Sequence, residues 1–189
     1  MKRLLDILVV GSVFAVAIAR AAPPGMTEID EIVAKVQIQE LIYRYALMHN
    51  TDDPEGYAGL FTEDADLMGT VGRAAIRAMA ERDVERLAAF GVSVEGDHRF
   101  GFLRTHVMNP LIEITDATHA TGIAYVQVVV PDVANGNIPT IFFEGTYQDE
   151  FRKVNGQWLI SKRRTYGGLN YAALGARLGL GGGAEDEDD

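Results

Sequence analysis

Asn155-Gly156 lies between two runs rich in β-branched and aromatic residues, 141–154 and 158–166. Both residues tolerate positive φ, so the pair predicts a two-residue type I′ turn whose twist matches that of a right-twisted hairpin. That turn commits the end of the chain to long antiparallel strands. Upstream, 100–109, 111–115 and 118–130 have the same strand character, with Thr115-Asp116-Ala117 as the turn between the last two. The first half reads differently. Apolar residues recur at helical spacing over 27–48 (Ile29, Ile32, Val33, Val36, then Ile38, Leu41, Ile42, Tyr45, Met48), with a phase slip near Gln37. Helices first and antiparallel strands afterwards define an α+β chain rather than a doubly wound sheet.

Local signals sharpen the helical half. Thr27 with Asp30 three residues on is an N-cap with a shortened capping box. Asp53-Pro54 is a cap followed by Pro at the first helical position, opening a short helix through Leu60 and Phe61. A short extended piece at 65–68 precedes a third helix over 73–90, rich in Ala, Arg and Glu.

Composition narrows the function classes. The chain has 189 residues, a net charge of −10 and no cysteine. About half of that charge sits on 185–189, which are all acidic. A moderately acidic body without a Lys/Arg cluster argues against nucleic acid as partner. The missing cysteines exclude a disulfide scaffold, a thiol nucleophile and thiolate metal sites. Histidines at 49, 98, 106 and 119 include no i, i+4 pair, so no metal site is expected. No Gly-rich phosphate loop and no Gly-x-Ser-x-Gly elbow are present, and no cofactor is expected.

At the N-terminus, Lys2 and Arg3 precede an apolar run over 4–18 interrupted by Asp6, Gly11 and Ser12. Ala17-Ile18-Ala19 and Ala19-Arg20-Ala21 both fit a small-residue cleavage site, and Pro23-Pro24 follows. This order predicts a signal peptide over 1–22 and a periplasmic or secreted protein; an uncleaved N-terminal anchor, and with it a membrane association, is the alternative. A single folded domain is expected over 26–174 and a flexible Gly-rich acidic tail over 175–189.

Alternation along the strands places Phe102, Arg104, His106 and Met108 on one face, and Ile141, Phe143, Gly145, Tyr147, Asp149 and Phe151 on another. Each set mixes apolar bulk with a few polar groups, as an apolar pocket does and as a core with a polar rim also does. Trp158 is read as core. His98 and His119 are read as loop and strand-surface residues, and Tyr45 as the one of Tyr43 and Tyr45 that reaches inward.

Three segments together resemble the SnoaL-like branch of the NTF2-like superfamily. They are Tyr45-Ala-Leu-Met-His-Asn50 through Phe61 to Ala65, Arg104-Thr-His106-Val-Met-Asn109-Pro110, and Gly145-Thr-Tyr147-Gln-Asp149-Glu with Asn155-Gly-Gln-Trp158 and Arg163-Arg164. Gly145-Thr-Tyr147 and Leu169-Asn170-Tyr171 are similar to the dehydrochlorinase-like lyases of that branch, beside the scytalone dehydratase-like ones. The resemblance implies a cone-shaped α+β barrel, a curved antiparallel sheet with the N-terminal helices on its concave side. It also implies homodimers or homotrimers and cofactor-independent chemistry on a small apolar or polycyclic ligand.

In that branch a strand histidine acts as base and a helix-end aspartate orients it. His106 falls on the histidine position and Asn50 on the aspartate position. An amide fixes the imidazole tautomer less well and stabilises an imidazolium hardly at all. Asp52 is the nearest substitute carboxylate, since Asp53 is committed as a cap. Tyr147 and Arg104 are expected to assist as polar groups, with Tyr45, Phe102, Met108 and Phe143 lining the ligand. Two functions follow: a lyase or isomerase with His106 as base, or a non-catalytic ligand-binding or oligomerising domain, motivated by Asn50. A partner subunit of a larger oxygenase fits an exported chain less well.

Overall fold

The computed structural model describes residues 21–50, 53–89, 103–132, 136 and 138–167. The leader up to residue 20, Asp52, residues 91–100 with His98, Phe102, Leu169-Asn170-Tyr171 and the tail lie outside the described residues.

Helix α1 spans Glu28–His49. Its N-terminus is closed as expected: the Asp30 N–H donates to Thr27 Oγ1 at 3.2 Å and the Thr27 N–H donates to Asp30 Oδ2 at 3.0 Å. Ala34, Ile38, Leu41, Ile42 and Tyr45 are buried, whereas Ile29, Ile32, Val33 and Val36 are exposed. The phase slip at Gln37 thus divides the helix, and only its C-terminal half lays an apolar stripe on the sheet. Asp53 caps α2 (Pro54–Ala58) by accepting from the Gly56 N–H at 2.8 Å. This helix stops short of Phe61, which begins β1 (Phe61–Leu67). Then come β2 (Thr70–Val71), α3 (Arg73–Ala89), β3 (Arg104–Ile114), β4 (His119–Asp132), β5 (Ile138–Val154) and β6 (Gln157–Gly167).

The six strands form one curved sheet in the order β2-β1-β6-β5-β4-β3. Neighbours are antiparallel except β1 and β6, which run parallel. The sheet is unclosed and ends at β2 and β3. Asn155 and Gly156 have φ of 50° and 83°, the two left-handed residues of the expected turn. Residues 104–109 and 111–114, expected as parts of two strands, form the single strand β3, with a bulge between Met108 and Leu111. Asn109 takes a φ of 51° there, and Pro110 costs no ladder bond because β3 is an edge.

Two glycines let the sheet close over an aromatic ring. A Cβ on Gly145 would lie 2.6 Å from Phe143 Cζ and 2.2 Å from the Tyr166 carbonyl, and one on Gly167 would lie 2.2 Å from Phe143 Cε2. These residues pair across β5 and β6, and Phe143 lies against both.

Candidate functional site

A bulge in β6 creates the polar centre of the molecule. Phe151 pairs with Ile160 and Glu150 with Lys162, so Ser161 is the extra residue and the alternation changes phase. Arg163 is thereby turned inward, directly opposite Asp149. The guanidinium grips the carboxylate with Nε at 2.7 Å from Oδ1 and Nη2 at 2.6 Å from Oδ2. Both residues are buried, Arg163 completely. The Tyr45 ring from α1 and the Tyr147 ring from β5 lie 3.9 and 4.0 Å from its central carbon. Burial alone would lower the Arg163 pKa; the Asp149 charge and hydrogen bonds overcome that and hold it raised. The cation is permanent.

Around it stand three tyrosines, a histidine and an amide. The Tyr57 hydroxyl, from α2, donates to the Tyr45 hydroxyl at 3.1 Å. Desolvation first, and the neighbouring Tyr45 second, push Tyr57 and Tyr147 well above the ordinary tyrosine range, so both keep their protons. His49, the last residue of α1, stacks on Tyr45 with ring centroids 5.8 Å apart and an interplanar angle of 19°. Its Nδ1 lies 2.9 Å from Thr105 Oγ1 on β3. Burial, then the Arg163 charge, push His49 down to about 4, so the ring is neutral at pH 7. Asn50 caps α1 in a right-handed conformation. Its Oδ1 accepts the Thr105 N–H at 2.9 Å. Thr105 is therefore tied to the end of α1 twice, through its backbone by Asn50 and through its hydroxyl by His49.

The residues expected at the site divide sharply. Tyr45, Tyr147 and Phe143 face inward and are buried, and Asn50 reaches the inner strand surface. On β3 the expected face is reversed. Thr105 is buried while Arg104 and His106 are exposed, and His106 pairs with Gln127, and Met108 with Tyr125, on the outer face of the sheet. Inward-facing Val126 and Val128 of β4 fix this phase, because their β3 partners are Val107 and Thr105. The strand position next to Asn50 is thus filled by Thr105, and the imidazole comes from His49 instead. Asp52 and Phe102 lie outside the described residues. Ile141 also faces outward, 42% exposed, because β5 shifts register between the partners of Val128 and Val129.

Other expectations stand as read. Trp158 is core, Tyr43 is exposed, and His119 lies on the surface against Asp116 at 3.2 Å. Thr105, Tyr57, Asp149 and Arg163 were not singled out as site residues by sequence. The hairpin held a usable signal, since counting back from Asn155-Gly156 sets Asp149 against Lys162 or, with one bulge, Arg163. The outer face carries a separate open groove of about 490 Å³, lined by Leu111, Ile123, Gln148, Lys162, Arg164 and Tyr166 among others. It is on the side of the sheet away from the arginine cluster. Among the described residues no group of three His, Asp or Glu side chains is placed to hold a metal ion, and no helix is long and apolar enough to cross a membrane.

Comparison with known proteins agrees with this architecture. A SnoaL-like domain matches residues 30–164. A solved protein of unknown function from Mycobacterium tuberculosis is 30% identical, with a TM-score of 0.62, covering 82% of this chain and 93% of its own. A putative scytalone dehydratase from Novosphingobium aromaticivorans is 22% identical, with a TM-score of 0.58, covering 75% of this chain and 88% of its own. A hexachlorocyclohexane dehydrochlorinase of the second type is 16% identical, with a TM-score of 0.59, covering 76% and 90%. The last two share the fold. No curated protein matches the chain.

Proposed function

Because the chain belongs to the SnoaL-like family, we propose that it binds a small, largely apolar molecule against the inner face of the sheet and carries out a cofactor-independent elimination or isomerisation there, with His49 as base. The observation that supports this most is the placement of His49. It is a neutral imidazole, half-buried, whose Nδ1 is held by Thr105, beside a permanently charged arginine. A general base needs its unprotonated form at working pH and a fixed orientation, and His49 has both. Its depressed pKa makes it a weak base, so its substrate must carry an activated C–H. The reaction moves that proton to the imidazole while the C–H electron pair expels a leaving group or shifts along the carbon skeleton. Tyr57 and Tyr147, kept protonated, and Arg163 supply positive potential where negative charge develops. Asn50 acts as a positioning residue through Thr105.

Asp52, Arg104 and Phe102 remain outside this reading, and His106 would act only on the outer face. The leader directs the protein to the periplasm or outside the cell, and homodimers or homotrimers are its expected assembly; N-terminal sequencing and mass measurement in solution check these two points.

Two neighbours suggest test substrates: scytalone for loss of water and hexachlorocyclohexane for loss of chloride. Turnover of either that disappears in His49→Gln and survives in His106→Gln supports the reading. Binding without turnover supports the second reading, a non-catalytic binding domain, which draws on the Asn50 amide standing where the resemblance places a carboxylate.

A further inference from the structure

Helix α1 carries two apolar faces, and the sheet covers only one of them. Ala34, Ile38, Leu41, Ile42 and Tyr45 are buried. By the 3.6-residue turn, Ile29, Val33, Val36, Tyr43 and Leu47 stand on the opposite side of the helix with Ile32 beside them, and all six are 43–73% exposed. Positions 29, 33, 36, 40, 43 and 47 alternate steps of four and three, the spacing of a coiled-coil seam. Glu40 is the one polar member of that seam, and Arg44 Nη2 holds its Oε1 at 2.6 Å. The six apolar side chains leave about 600 Å² open, the upper end for the largest apolar patch of a monomer. The phase slip at Gln37 is where the apolar periodicity passes from this face to the one on the sheet.

We propose that this seam is the interface of a homodimer in which α1 packs antiparallel on α1 of a second copy about a two-fold axis. Charge sets the orientation. A parallel pair brings two Glu40 carboxylates together at one level of the seam, which is destabilising. An antiparallel pair instead sets Glu40 over the partner's Val36, Ile29 on the partner's Leu47 and Val33 on the partner's Tyr43. The flanking positions then agree as well. Asp30 meets the partner's Arg44, Ile32 meets the partner's Ala46, and the amides of Gln37 and Gln39 lie near the axis. The acidic first turn of α1, with Glu28, Asp30 and Glu31, thus lies along the end of the partner helix that carries the arginine. From Ile29 to Leu47 the seam is about 27 Å long. Two stripes face to face bury about 1,200 Å², enough for a specific interface. A lipid surface fits the stripe less well, because Asp30, Glu31 and Glu40 edge it where interfacial helices carry Lys and Arg. The inference rests on the expected self-assembly, gives it a surface and selects the dimer over the trimer, since two-fold pairing uses up both stripes. It stands apart from the chemistry proposed for the inner face.

The test uses the full chain, with mass in solution read by sedimentation equilibrium. A dimer is expected. Val36→Glu changes an exposed side chain to a better helix former, so the fold should persist by circular dichroism while the dimer dissociation constant rises about tenfold or more. Glu40→Leu completes the apolar seam and should lower that constant by a similar factor. Leu111→Glu, on the outer face of the sheet, should leave it unchanged. Because the chain has no cysteine, introduced thiols read the orientation. Val33→Cys with Tyr43→Cys should form disulfides between copies on mild oxidation. Val33→Cys alone should not, since antiparallel packing sets its two copies about 15 Å apart along the helix axis, beyond disulfide reach. An assembly that Leu111→Glu dissolves and Val36→Glu does not, a trimeric mass, or efficient cross-linking of Val33→Cys alone would each overturn this interface while leaving self-assembly in place. A wild type that stays monomeric at its highest soluble concentration overturns both. Vesicles of phosphatidylcholine and phosphatidylglycerol supply the competing occupant: a monomeric wild type that binds them through a stripe disabled by Val36→Glu assigns the face to lipid and overturns the dimer.

Discussion

Asp149 and Arg163 face each other across β5 and β6 and form a two-pronged ion pair of 2.7 and 2.6 Å with no exposure to solvent at the arginine. Tyrosines from α1 and β5 lie against the guanidinium with their rings nearly perpendicular to each other, so the pair links the helix to the sheet as well as strand to strand. Its removal in halves should be severe. Asp149→Ala leaves a buried cation unpaired and should cost about 3–5 kcal/mol in urea unfolding. Replacing both members with apolar residues, Asp149→Leu with Arg163→Met, should cost clearly less than the two single changes added together.

Acid sensitivity should trace to His49. Its folded pKa of about 4 lies below the ordinary value of 6.5. The unfolded chain therefore takes up this proton first as pH falls. The stability from burying a neutral ring is complete above pH 6.5 and is lost as pH drops toward 4, to a limit of about 3 kcal/mol. Urea midpoints measured between pH 7 and 5 should fall more steeply in the wild type than in His49→Gln. Equal slopes would show that His49 titrates like an exposed histidine.

Gly145→Ala should destabilise through steric overlap alone, with no hydrogen-bonding side chain removed. The new methyl would stand 2.2 Å from the Tyr166 carbonyl and 2.6 Å from the Phe143 ring, and the backbone contact cannot be relieved by a rotamer change. A loss of about 1–3 kcal/mol is expected. Gly136→Ala, where a Cβ meets nothing within 4 Å, separates packing from the backbone term, since only its φ of 74° opposes the change.

Asn50→Asp and Asn50→Leu should part company. Aspartate keeps an acceptor for the Thr105 N–H, so folding should be retained, and its negative charge next to His49 should raise the imidazole pKa above about 4. Leucine leaves that N–H without its side-chain partner and should cost about 1–3 kcal/mol. Histidine ring NMR titration and thermal unfolding read the two effects separately.

Much of this fold was legible in the residues. Thr27, Asp53 and Asn155-Gly156 announce their elements through local chemistry that needs no tertiary partner, and the structure places all three as read. The buried stripe of α1 was legible only in part, because Ile29 to Val36 are apolar yet exposed; periodicity reveals a face and not what covers it. The site was less legible for a definable reason. Which face of β3 points inward is set by pairing with Val126 and Val128, and Arg104-Thr-His106-Val alternates too weakly to fix it locally. A one-residue phase error there moves His106 from the centre of the site to the outside. Arg163 was hidden by the Ser161 bulge, whose position depends on the whole hairpin.

In the proposed reaction His49, rather than His106, is the imidazole that serves the inner face. Exchange of the α-protons of cyclohexanone in D₂O reads base strength at that face without knowledge of the natural substrate. His106→Gln should exchange like the wild type, and His49→Gln should lose about 10²–10⁴-fold, the usual contribution of a positioned base. Loss of exchange in His106→Gln with His49→Gln unaffected would contradict it.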